Sequence, residues 1–192
     1  MRRSLVALVA TTSLLSACAS LSEAECHTVD WHARGLRDGH DGVPLTRVYD
    51  YRQDCNEHGI RTDETAWRAG HQIGLLSYCT AERGYTEGLA GRRYHKVCPL
   101  DREAAFLPAF ELGAARYSVD SEMASVTRNQ AQLEATLLDR ETPDDERREL
   151  RRRLREQDRY LIALRRYRDQ LLLLGPGDPL PLRPRAYDVW SD

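Results

Sequence analysis

The stretch from Trp67 to Pro99 constrains the fold more than any other part of the chain. Trp67, Gly70, Gly74 and Tyr78 recur at the spacing of one helical face, with aromatic rings at the ends and bare backbone between them. Glycine inside a helix costs roughly 1 kcal/mol against alanine. A stripe of glycines therefore implies a second helix that approaches closer than side chains would allow. Cys79, Gly84, Gly88, Gly91 and Cys98 continue the pattern, and the spacing predicts a small helical bundle centred here. Small-xxx-small stripes also form membrane dimer faces, but Arg68, His71, Gln72, Glu82 and Arg83 make these surroundings too polar for lipid.

With 192 residues, 41% apolar and 30% charged, the chain can build one ordinary core with an appendage, or two small modules. Its net charge of -2 gives no global attraction to nucleic acid, and no nucleic-acid partner is expected. Lys96 is the only lysine, a bias that the codon usage of a GC-rich genome explains without invoking function.

Five cysteines is an odd count, and the first has a distinct context. Arg2 and Arg3 precede an apolar run, Leu5 to Leu15, too short to span a bilayer, and Leu15-Ser16-Ala17-Cys18 follows at once. This resembles the lipobox of bacterial lipoproteins. The resemblance implies a signal peptide over residues 1–17 and a mature chain that starts at Cys18, its sulfur and amine carrying acyl groups such as palmitate. Several acyl chains give durable anchoring. Ala19, where aspartate often marks retention at the inner membrane, points to an outer-membrane anchor on the periplasmic face.

Cys26, Cys55, Cys79 and Cys98 remain, an even number that an oxidising periplasm would convert to two disulfides. Ser22-Glu-Ala-Glu25 reads as a capping box opening a helix through Trp31, Gly35 and Gly39. Asp41-Gly42-Val-Pro44 reads as a turn, and a second helix through Val48, Tyr49 and Cys55 stops at Gly59. Folding these two helices back on each other brings Cys26 to Cys55. Thr62 or Asp63 opens the next helix, which Cys79 closes. Of three possible connectivities, Cys26 with Cys55 and Cys79 with Cys98 is preferred.

Cys26 with Trp31, Gly35-x-x-Asp38-Gly39, Cys55-x-x-His58-Gly59, Gly70-x-x-x-Gly74-Leu75-x-x-Tyr78-Cys79 and Gly88-x-x-Gly91-x-x-Tyr94-x-x-Val97-Cys98-Pro99 together resemble a family of bacterial lipoproteins catalogued as domain of unknown function 2799. The resemblance covers roughly residues 18 to 117. It implies place and fold and brings no assigned activity. Aromatic-then-glycine pairs recur at Trp67/Gly70, Tyr85/Gly88 and Phe110/Gly113, the last followed by Tyr117. Their uneven spacing reads as repeated close helix contacts and not as a solenoid.

A helix is expected to begin at Pro108 and to carry a heptad seam of Val119, Met123, Val126, Gln130, Leu133 and Leu137. Thr142-Pro143-Asp144-Asp145-Glu146 opens another, with seam residues Leu150, Leu154, Gln157, Leu161, Leu164, Arg168 and Leu171. An antiparallel hairpin turning near 142–143 pairs Leu137 with Leu150, Leu133 with Leu154, Gln130 with Gln157, Val126 with Leu161, Met123 with Leu164 and Val119 with Arg168. The two glutamines are expected to satisfy each other's amides and to disfavour slipped registers. Gly175 to Pro184 cannot be helical and reads as an extended linker, and Ala186 to Trp190 reads as a mobile tail.

The fold class is therefore all-α. Residues 18–107 form a small disulfide-stapled helical head, 108–174 an antiparallel coiled-coil hairpin and 175–192 an extended Pro-rich tail. Gly35, Gly39, Gly70, Gly74 and Gly88 serve helix packing.

Cys26-His27 with Cys55-x-x-His58 has the identity of a zinc set, but thiols in an oxidising compartment pair first and the histidines lack ligand spacing, so neither metal nor cofactor is expected. Asp30, Asp38, His40 and Asp41 gather around the first turn with no nucleophile elbow, phosphate loop or carboxylate pair to frame them, and no enzyme is expected. Between Asp144 and Asp169 ten arginines face seven acids, a solvated face with leftover positive charge for lipopolysaccharide or another acidic partner. The expected function is a lipid-anchored envelope adaptor: the membrane is held through the N-terminal lipid, and an envelope protein is the partner. The alternative is a small-ligand or cell-wall-fragment binding module that stacks its ligand on Trp31, Trp67 and the tyrosines.

Overall fold

The computed structural model describes residues 21–186. Cys18 and the expected signal peptide over residues 1–17 lie outside the described residues. Among these, the elements are seven helices and no strand: α1 (Glu23–Thr28), α2 (Trp31–His40), α3 (Arg47–Glu57), α4 (Glu64–Tyr78), α5 (Ala81–Leu89), α6 (Leu100–Leu138) and α7 (Asp144–Leu172). The fold is all-helical, with a stapled head and a helical hairpin.

The capping box at Ser22 and Glu25 opens α1. The single helix expected through Gly39 is instead two. Val29 is extended, and the Asp30 carboxylate accepts the Ala33 N–H at 2.9 Å to start α2 afresh. Asp63 caps α4 in the same way, accepting from Ala66 N–H at 2.9 Å.

The partner of α2 is α4 and its glycine seam, not the α3 helix expected to fold back along α2. A Cβ on Gly35 would lie 1.9 Å from the Trp67 carbonyl oxygen, one on Gly39 2.1 Å from that of His71, and one on Gly74 2.2 Å from that of Leu36. A second pair repeats this arrangement. Cβ atoms on Gly84, Gly88 and Gly113 would fall 2.4, 2.1 and 2.3 Å from the carbonyl oxygens of Phe106, Phe110 and Tyr85. Thus α5 stands to α6 as α2 stands to α4.

The correspondence holds residue by residue. Arg34 to Gly42 and Arg83 to Gly91 share the pattern Arg-Gly-x-x-acid-Gly-x-x-Gly. Trp67 to Tyr78 and Phe106 to Tyr117 share aromatic, small residue, Gly and Tyr at matching positions. Gly42 and Gly91 end their helices at φ +67° and +68°, and a Cβ on each would meet the ring of Tyr78 or Tyr117. Arg34 pairs with Asp38 at 3.4 Å and Arg83 with Glu87 at 2.9 Å. The head is two copies of one glycine-seamed helix pair, with α3 inserted between the two helices of the first.

Each copy has its own staple. Cys26–Cys55 ties α1 to α3 and is buried with Leu21, Trp31, Val48, Tyr51 and Trp67. Cys79–Cys98 joins the junction of the copies to the start of α6, beside Leu75, Tyr78 and Phe106. The Tyr94 hydroxyl donates to Glu103 at 2.8 Å and accepts the Cys98 N–H at 3.1 Å, holding that loop down. Burial, with the Glu103 bond, pushes its phenol up to about 12.

The helix start expected at Pro108 is displaced to Leu100, and Pro108 lies inside α6. A boundary at 107/108 therefore falls within one continuous helix. Proline removes a single N–H bond, a loss that α6 sustains where buried Phe106, Ala109 and Leu112 fasten it to the head.

The hairpin of α6 and α7 keeps the expected register at its base, where Val119, Leu161, Leu164 and Leu171 are buried with Met123 and Val126 against them. Gln130 and Gln157 do not bond to each other. The Gln130 amide donates to Asp158 at 2.7 Å and that of Gln157 to Asn129, so each reaches the residue flanking its expected partner. With 29 residues at about 1.5 Å each, α7 is about 43 Å long. Arg147 closes the tip by donating to the carbonyls of Leu137 and Thr142, both at 2.9 Å, and to that of Asp139.

The segment from Gly175 to Pro184 is extended, as expected, and is held at Arg183, whereas Ala186 to Trp190, expected to be mobile, lies almost wholly outside the described residues. Arg183 donates to Ser118 at 2.8 Å and pairs with Glu122, which also accepts from Tyr160 at 2.6 Å.

Two outcomes follow from this packing. Replacing Gly39, Gly74 or Gly88 by alanine drives a methyl into backbone, and each variant is expected to lose about 1–3 kcal/mol or more in urea denaturation. Gly175→Ala, where the nearest atom would be 3.6 Å away, should be near neutral. Burial alone would raise the Glu122 carboxyl, but Tyr160 and Arg183 outweigh it and hold it below its ordinary 4.5. Its contribution is therefore full above that ordinary value and lost as pH falls through the lowered one. Hydrogen exchange over residues 180–186, corrected for the intrinsic rate, should accelerate there, and less so in Glu122→Gln.

Candidate functional site

The polar groups expected around the first turn separate by role. Asp30 is the α2 cap. His40 and Asp41 form an exposed pair at 3.0 Å. Asp38 is buried at 7% exposure, and its carboxylate accepts from Trp67 Nε1–H at 2.8 Å and from the Tyr51 hydroxyl at 3.0 Å. Arg34 closes the network by donating to the Tyr51 oxygen at 2.9 Å. Burial pushes the Tyr51 phenol up, only partly offset by Arg34. The hydroxyl is thus a donor to Asp38, and every group in the cluster is satisfied.

Glu87 is the counterpart in the second copy, buried at 4% between Arg83 and Arg92, the latter at 3.3 Å. Buried carboxylates at equivalent positions, each paired with the arginine four residues earlier, point to one repeated structural device.

The histidines do not gather. His71 is fully buried, stacked on Trp67 at 4.7 Å with Nε2 2.7 Å from the Val43 carbonyl. His58 lies 3.6 Å from Glu23. Cys26 and Cys55 are bonded to each other, and among the described residues no three His, Cys, Asp or Glu side chains could hold a metal ion. Trp67 is 0% exposed and Trp31 9%, so both are core and offer no stacking platform for a ligand.

Two surface features remain. On α7, Arg152 and Arg153 pair with Glu149, which they pull down to about 2. Arg148, Arg151, Arg155, Arg159 and Arg166 make no ion pair among the described residues and follow the helical face opposite the seam. On the head, Leu36, Ile73 and Leu76 stand 39%, 50% and 49% exposed on α2 and α4. Leu36 and Ile73 line a cavity of about 470 Å³ with Arg37, His40 and Ser77. Sequence reading missed this cavity, although polar Arg37, His40 and Ser77 beside two apolar side chains on glycine-seamed helices were a usable signal.

Residues 30–115 match the family described as "Protein of unknown function (DUF2799)". Over these residues the chain is similar to that family. Its limits enclose the duplicated helix pairs almost completely, from the cap of α2 to the middle of α6. The DUF2799 segment therefore includes the start of the hairpin helix and excludes the rest of the hairpin. No curated protein and no solved structure matches the chain significantly.

Asp38→Ala should cost about 3 kcal/mol in urea denaturation, because it strands the Trp67 N–H, the Tyr51 hydroxyl and Arg34. Asp30→Ala, which loses only a cap, should cost about 1 kcal/mol. Equal, small losses would reopen a functional role for the buried acid.

Proposed function

We propose that this chain is a lipid-anchored periplasmic adaptor of the cell envelope, with its DUF2799 head held near the outer membrane and its hairpin engaging an envelope protein. The observation that carries the reading is the pairing of all four cysteines of the described residues into two disulfides. Such bonds persist in oxidising compartments and are rare in the cytosol. The Leu15-Ser16-Ala17-Cys18 sequence supplies the anchor in this reading. Asp30, Asp38, Glu87 and His71 are engaged in a cap, ion pairs or the core, which favours a binding role over chemistry.

The hairpin supports the adaptor role through what its own packing leaves over. Tyr160, Tyr167 and Leu171 are consumed in the base, and Leu174 packs there too. Leu138, Ile162, Leu172 and Leu173 stay 80%, 46%, 58% and 86% exposed. The unpaired arginine stripe lies on the outer side of the same helix and favours an acidic partner surface.

Photocrosslinking in cells from Leu138 and Ile162 tests this reading. A discrete protein adduct should form in membranes, and the adduct from Ile162 should disappear when residues 127–159 are replaced by a short turn, which keeps Tyr160 and the rest of the base. Palmitate labelling should depend on Cys18. Labelling without any adduct defeats the adaptor role, and free thiols in the native chain defeat the compartment.

A further inference from the structure

The duplication allows one half of the head to be used as a template for the other. In the second copy, the outer face of α5 and α6 presents Tyr85, Leu112 and Arg116. The end of α7 covers it: Leu171 is 0% exposed, and Leu174 packs against the same cluster. Arg116 caps that helix end, donating to the Leu171 carbonyl at 2.7 Å and the Leu174 carbonyl at 3.5 Å. A cavity of about 280 Å³ lined by Tyr85, Leu112, Arg116 and Leu174 marks the seat.

The equivalent positions in the first copy are Leu36, Ile73 and Ser77. They line the 470 Å³ cavity between α2 and α4, and no other element covers them among the described residues. The same backbone geometry, set by the same glycines, thus leaves the same apolar notch open. Ser77 turns its hydroxyl back to the Gly74 carbonyl at 2.8 Å and cannot do what Arg116 does. Arg37 and His40 line the notch instead, and Arg37 makes no hydrogen bond or ion pair among the described residues. A cation beside an apolar notch complements the carbonyl end of a helix, which carries partial negative charge.

We infer that the notch formed by Leu36, Ile73 and Arg37 is a docking site for the C-terminal turns of an amphipathic helix in a partner protein. That helix presents leucines at i and i+3, as Leu171 and Leu174 do in the second copy, and Arg37 meets its free carbonyls. A second copy of this chain is not the occupant, because the Leu171 and Leu174 face of its own α7 end is already packed at home. The site rests on the adaptor reading only for the existence of a natural partner.

The chain supplies its own probe. A fluorescent, helix-stapled peptide of residues 157–176 should bind the purified mature chain saturably, measured by anisotropy. Leu36→Asp or Ile73→Asp should weaken it at least tenfold, and Arg37→Glu severalfold. Leu138→Asp, at the hairpin tip, should leave binding unchanged. Circular dichroism of each variant shows that the fold persists, and Arg37→Glu, fully on the surface, decides the matter should an apolar variant unfold. Absence of saturable binding, or binding indifferent to all three substitutions, overturns the site. Because the peptide assay uses no cellular partner, binding without a cellular adduct would defeat the adaptor role and leave the site, and the reverse result would do the opposite.

Discussion

Backbone against backbone is the contact on which this head depends. At Gly35, Gly39, Gly74, Gly84, Gly88 and Gly113 the first atom a side chain would meet is a carbonyl oxygen of the facing helix, closer than 2.5 Å. Side chains normally set the separation of packed helices at 8–10 Å. With none at the crossing, the two backbones themselves define the approach, which makes the geometry of each pair rigid and repeatable. Trp67 and Phe106, both 0% exposed, then fill the space at the equivalent end of each seam. This is why two segments with little overall identity fold as the same object.

So tight a seam buries little apolar volume, and the remaining cohesion comes from elsewhere. Disulfides spanning 29 and 19 residues each contribute about 3 kcal/mol by loop entropy, one tying α1 to α3 and the other the end of α4 to the start of α6. Asp38 and Glu87 add buried charges whose partners are local arginines. A buried pair is weak evidence for net stability, but stranding one partner is costly. These acids therefore act as locks on the helix that carries them.

The hairpin grows out of the second pair without a joint, since α6 serves both. Its base is an ordinary core under the extended tail, whereas its distal half is held by a thin seam and polar links such as Gln130 to Asp158. The amide layer shows how register survives without the symmetric pairing that the pattern suggests. Each glutamine reaches the neighbour of its opposite number, one step to either side, and the two displacements cancel.

The sequence by itself marked most of the helical segments, a cap at Ser22 and one at Thr62 or Asp63, the turn at Gly42, a preferred pairing of the four cysteines and the hairpin register, because spacing, capping and apolar periodicity are local properties of the chain. It also marked the glycines as contact points. It did not say which helices meet, since a glycine face is complementary to any other glycine face; only the tertiary structure decided that α2 pairs with α4 and α5 with α6. Pro108 misled for a related reason: its local preference for a helix start yields to the burial of Phe106 and Ala109 on either side. The duplication was hidden because α3 breaks its spacing, and the open notch beside Leu36 and Ile73 became visible only once one copy could be laid against the other.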